Sequence, residues 1–163
     1  MPSVYEKYQL KPVINASGRM TLLGVSTPEQ EVVDAVNFGL GHYFEVKDLV
    51  NKTGAYLAEL LGVEDAVVVS CASAGIAQSV AAVIVRGDPY RLEQLHAHRH
   101  DVPSEIVLPK GHNVNFGVPV GTMVNLGGGK VVEAGYANEC SPAQLAAAIN
   151  PNTAAILYIK SHH

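Results

Sequence analysis

The stretch AVVVSCASAGIAQSVAAVIV, residues 66–85, restricts the fold more than any other part of this 163-residue chain. A run of β-branched residues gives way to an alanine-rich segment of helical character, and only small residues, SCASAG, occupy the change of direction. This predicts a strand over 66–70 feeding a helix over about 74–86 through a tight turn. A strand that passes straight into a helix is the building unit of α/β folds with a parallel sheet.

The same alternation runs along the rest of the chain. In VSTPEQEVVDAVNFGL, Thr27 has Pro28 next to it and Gln30 three residues on, the spacing of a capping box at a helix start. VKDLVNKTGAYLAELLG sets Leu49, Val50, Tyr56, Leu57, Leu60 and Leu61 largely on one helical face, and Gly62 suits the stop. Strands are expected at EIVLP (105–109), KVVEAG (130–135) and AAILYIK (154–160), with a further helix in SPAQLAAAIN begun by Ser141, Pro142 and Gln144. No internal repeat or low-complexity segment interrupts this pattern.

Composition narrows the function classes. A net charge of -4 without a basic run argues against nucleic acid or an anionic membrane surface as the main partner. The first residues, MPSVYEKYQLKPVINASG, carry charges where a secretion signal needs an apolar centre, and no apolar run reaches membrane-spanning length, so a cytoplasmic protein is expected. Cys71 and Cys140 are too few for a disulfide framework and lack metal-ligand spacing, so free thiols are expected.

A strand-to-helix turn leaves backbone N–H groups unpaired where the helix dipole favours negative charge, which makes it a cup for phosphate. SCASAG keeps bulk away from the backbone and adds the hydroxyls of Ser70 and Ser73; close packing of helix on sheet accounts for small residues equally well. Phosphate-loop and dinucleotide spacings do not fit. VNLGGGKVV lacks the flanking residues of a phosphate loop and reads as a turn, and the turn at 66–75 lacks the three glycines of a dinucleotide fold. The alternating His96, His98 and His100, with Asp101, suggest a transition-metal site, but a solvated loop is the simpler reading and no metal is expected.

Four blocks, KPVINASGRMTLLGVS, LAELLGVEDAVVVSCASAGIAQSVAAVI, EIVLPKGHNVNFG and VVEAGYANECSPAQLAAAINPNTAAILYIKSHH, resemble in order the N-terminal half of the selenocysteine-synthase-like pyridoxal phosphate enzymes. The resemblance implies an aspartate-aminotransferase-like (fold type I) large domain, a mostly parallel sheet with helices on both faces. Residues 1–45 would contribute to the mouth of the active site and 46–163 would form part of the cofactor-binding domain. Pyridoxal 5'-phosphate is the implied cofactor, its phosphate held at Cys71, Ser73, Ala74 and Gly75. His112 would stack on its ring and possess a proton-transfer role. Asn15, Ser17, Arg19, Lys160 and His162 would meet the substrate. The implied activity is an ammonia-releasing α,β-elimination on an amino acid or amino sugar acid, in a homodimer or higher homo-oligomer. The resemblance puts the Schiff-base lysine and the acid facing the pyridine nitrogen beyond His163, so the chain is expected to be truncated or a fragment. Two other classes stay open on the residues alone: a noncatalytic α/β module that binds phosphate ligands, and a sugar-phosphate isomerase with a similar cup.

Overall fold

The computed structural model describes residues 3–97 and 101–160. The chain divides into two compact units, Met1–Gly62 and Val63–His163.

The first unit holds helices α1 (Val4–Tyr8), α2 (Gln30–Leu40) and α3 (Val46–Leu61). Gly62 closes α3 in the left-handed conformation expected of a glycine stop (φ 66°). The start of α2 differs from expectation: Glu29, not Thr27, is the N-cap, and it makes no side-chain cap. The reason is local competition, because the Gln30 amide bonds forward to Asp34 Oδ1 at 2.9 Å instead of back to a capping residue. Along α3 only Gly54 and Ala58 are buried, and Leu49, Val50, Tyr56, Leu60 and Leu61 remain exposed.

The second unit is built on a parallel sheet. Strands β1 (Glu105–Pro109), β2 (Lys130–Ala134) and β3 (Thr153–Ile156) run in the order β2-β1-β3. Around them lie α4 (Ala72–Val85), α5 (Pro89–Gln94), α6 (Val120–Leu126) and α7 (Pro142–Ala148). Ile106, Val107 and Leu108 of the central strand are all but inaccessible, so both faces of β1 are covered. Ile106 joins Val80 and Ile84 of α4 and Val124 of α6 in one core, and α7 packs on β1 and β2. The glycines of VNLGGGKVV form a turn where α6 meets α4, since a Cβ at Gly127 would collide with the Ala77 carbonyl and one at Gly129 would lie 2.7 Å from Val80. This agrees with the turn reading of that stretch. The Ser141 hydroxyl and the Gln144 amide form the expected reciprocal capping box at 3.2 and 2.8 Å, with Pro142 opening α7.

Two strand expectations require correction. Residues 66–70 pair with no strand among the described residues, and Val67 and Val68 are exposed. Extended, β-branched sequence supplies the conformation of a strand, whereas the ladder needs a neighbour that local sequence does not specify. The third strand was expected to reach residue 160 but ends at Ile156. Leu157 N–H still donates to Val107 O at 2.8 Å, after which the chain leaves the sheet. The mixed α/β class and the parallel sheet are as the sequence predicts.

Candidate functional site

Cys71 is the N-cap of α4, with extended backbone (φ −166°, ψ 167°). Its sulfur accepts the Ala74 N–H at 3.5 Å, and its carbonyl accepts the Gly75 N–H at 3.0 Å. The Cys71 thiol is held below the ordinary thiol range, first by the Ala74 N–H, then by a hydrogen bond from the Ser70 side chain, with Ser73 N–H adding a smaller share against some desolvation. The thiolate of Cys71 is therefore favoured at this helix start. Ala74 and Gly75 are half-buried with N–H groups engaged by Cys71, while Ala72 and Ser73 are exposed.

Ala72 and Ser73 open onto a cleft of about 580 Å³ whose other walls include Phe116, Met123, Tyr158 and Lys160. The start of α4 thus meets the segment leaving β3, at the carboxyl end of the sheet where open α/β folds collect ligands. Ser73 and Lys160, 87 positions apart in the sequence, border one space.

His112 ends a single 3-10 turn, Lys110–His112, directly after β1. Gly111 is pressed so closely on the Ala137 carbonyl that no side chain fits there, which fixes the turn. The His112 Nδ1 accepts the Ile159 N–H at 3.1 Å, and the ring meets Tyr158 edge-on, with centroids 4.6 Å apart and planes at 68°. His112 lines a second cleft of about 290 Å³ with Tyr136, Glu139, Cys140 and Tyr158. Tyr158 borders both clefts. The sequence reading passed over Tyr158 because it lay inside a segment taken as continuous strand; the signal available was a single tyrosine in an otherwise aliphatic run.

The remaining sequence candidates are placed as follows. Asn15, Ser17 and Arg19 belong to the first unit, where the Asn15 carbonyl accepts Ser17 N–H at 2.9 Å and its amide donates to Gly18 O at 2.7 Å. This is an Asx turn that leaves Arg19 exposed, with no ion pair among the described residues. His162, His98 and His100 lie outside the described residues. His96 Nδ1 lies 2.8 Å from Glu93 O, and no cluster of three metal-ligating side chains occurs among the described residues. Cys71 and Cys140 are free thiols. No described helix is long and apolar enough to cross a membrane.

No protein-family profile matches the chain. It is 46% identical over 162 residues to D-glucosaminate-6-phosphate ammonia lyase of Salmonella typhimurium, covering 99% of this chain and 44% of that protein. It is 37% identical over 158 residues to 5'-C-glycyluridine monooxygenase-decarboxylase of a Streptomyces species, covering 96% of this chain and 39% of that protein. A solved structure of D-glucosaminate-6-phosphate ammonia-lyase matches with a TM-score of 0.92 at 46% identity, over 99% of this chain and 44% of that one. The chain therefore spans less than half the length of the curated relatives it matches. Over the part it spans, it is a close homologue of D-glucosaminate-6-phosphate ammonia lyase in both sequence and fold.

Proposed function

We propose that this chain carries the phosphate-cup portion of a pyridoxal phosphate-dependent lyase of fold type I, which releases ammonia from an amino sugar acid such as D-glucosaminate 6-phosphate. The observation that supports it most is the start of α4, where small exposed residues border a cleft at the N-terminal end of a helix, in a chain that is a near match to that lyase.

The residues present fit the phosphate end of the cofactor. Ala72 and Ser73 place no bulk at the helix start, the Ser73 hydroxyl is a further donor, and the positive end of the α4 dipole suits a phosphate. On this reading Cys71, Ser73, Ala74 and Gly75 form the cup, and His112 supplies a ring for the cofactor's face. When bound, pyridoxal phosphate supplies an electron-withdrawing ring that takes up the electrons left as a proton departs beside the substrate amine. Over the whole reaction the β-hydroxyl leaves as water and one water is taken up again as the amine is hydrolysed off, so the substrate loses only ammonia and becomes a keto acid. The ammonium of Lys160, at the rim of the cleft that Ser73 lines, attracts an anionic end of the substrate. Asn15, Ser17, Arg19 and His162 are assigned substrate-binding roles on the resemblance alone. We assign the Schiff-base lysine to none of the chain's own lysines. A homo-oligomer and a cytoplasmic setting accompany this reading.

The test is a pyridoxal phosphate titration of the protein expressed from its own gene, followed by cofactor absorbance. Replacing Ala74 by Leu is expected to weaken binding about tenfold, or ~1.4 kcal/mol, and inorganic phosphate is expected to compete and to slow alkylation of Cys71. Unchanged affinity in Ala74→Leu, with no competition by phosphate, removes the cup from the function.

A further inference from the structure

We propose that Tyr158 and the backbone of Ile159 are positioning groups for His112. Together they hold its imidazole as the Nε2–H tautomer and fix the plane of the ring. The use made of that ring rests on the lyase reading; the hold on it rests on geometry alone.

The Ile159 N–H can only donate, and the atom 3.1 Å away that receives it is His112 Nδ1. A proton on Nδ1 would set two donors against each other across that distance, so the neutral ring must carry its proton on Nε2. The bond joins residues 47 positions apart and is partly buried, so water competes for it less than for an exposed pair. Rotation of the imidazole about its Cβ–Cγ bond would carry Nδ1 away from the Ile159 N–H. The edge of Tyr158, at 4.6 Å and 68°, opposes that rotation.

Tyr158 is itself largely exposed, so core packing does not account for its place. The bond to His112 accompanies the early end of β3: Ile159 gives its N–H to an imidazole rather than to a neighbouring strand. The chemical consequence is a division of labour within the ring. Nδ1 is committed to the fold, and any proton His112 exchanges in the proposed site passes through Nε2. On this assignment Nδ1 does not act as a base.

The hold is tested without cofactor, so that its failure and the failure of the lyase reading are distinct. In ¹⁵N-labelled full chain, imidazole ¹⁵N–¹H correlation spectra are expected to show His112 with bare Nδ1 and protonated Nε2, and a through-hydrogen-bond ¹⁵N–¹⁵N coupling to the Ile159 amide. A proton on Nδ1, or equal tautomers with no coupling, overturns the proposal. Tyr158→Phe keeps the ring edge and is expected to leave the spectrum unchanged. Tyr158→Met fills the space without an aromatic edge and is expected to lower the tautomer ratio by roughly twofold to tenfold. A ratio unchanged in Tyr158→Met overturns the part given to Tyr158. Pyridoxal phosphate added afterwards tests the lyase reading separately, through movement of the His112 ring resonances.

Discussion

Each of the two units of this chain is stabilised internally, by interactions of different range. In Met1–Gly62 the side-chain contacts are local: Gln30 to Asp34, Lys52 to Asp48 at 2.8 Å, and Thr53 to the Leu49 carbonyl at 2.7 Å, each four residues apart. Only Gly54 and Ala58 are buried among its described residues, and Ile14, Leu22 and Leu40 are more than four-fifths exposed. In Val63–His163 the contacts span the sequence. Asn113 bonds Glu133, Lys130 and Asn150 both reach Glu105, and Ile159 reaches His112, closing on a core whose central strand is sealed from water. Helices can be drawn from neighbouring residues, whereas a sheet and a site at its edge need partners from far along the chain.

The sharpest way to break this comparison is to truncate one leucine in each unit. Leu108→Ala, at a fully buried position, is expected to cost about 2–5 kcal/mol in chemical denaturation. Leu60→Ala, on the exposed face of α3, should change stability by no more than about 0.5 kcal/mol. Similar losses at both sites would mean that the α3 face is covered in solution. A smaller effect is expected at a cap: Ser141→Ala removes the reciprocal box of α7 and should cost about 1 kcal/mol by the same measurement. If it costs nothing, α7 is held by packing alone and the local signal is redundant.

The mildest effect concerns pH. The Glu105 carboxyl is held below the usual carboxylate range, first by the Asn150 amide and then by the Lys130 ammonium, with desolvation opposing them. Because its folded value is depressed, this link stabilises the fold fully above the ordinary glutamate range. The contribution fades as pH falls from that range through the lowered folded value. Midpoints of urea denaturation measured from pH 6 down to about 3 should therefore drop more steeply in the native protein than in Glu105→Gln. Parallel curves would show that Glu105 does not tie the β1 start to Lys130 and Asn150 in solution.

The same division between local and distant partners explains what could be read from the sequence. The Ser141-Pro142-Gln144 start, the Gly62 stop and the central strand EIVLP were all legible, because a cap or an apolar run carries its own explanation. The start of α2 was not legible, because the Gln30 side chain turns forward to Asp34 and no side-chain cap forms. The strand at 66–70 was misread because its conformation was legible and its partner was not. At the candidate site, Cys71 and Ser73 were singled out by the turn they occupy, and His112 by the resemblance, which places a ring just after β1. Tyr158 did not, since its role depends on a histidine 46 positions earlier. The meeting of Lys160 with the α4 start was expected only from the resemblance, for no spacing in the chain encodes it.

The exit of β3 toward His112 alters how a variant at that position is to be interpreted. The imidazole is at once a candidate reagent and the acceptor for a main-chain donor. His112→Ala would delete the reagent and also strand the Ile159 N–H, so lost activity and lost order at the strand end would arrive together. Asparagine, whose carbonyl is an acceptor of comparable reach, separates the two. A defect shared by Asn and Ala belongs to the ring, and a defect confined to Ala belongs to the backbone it anchored.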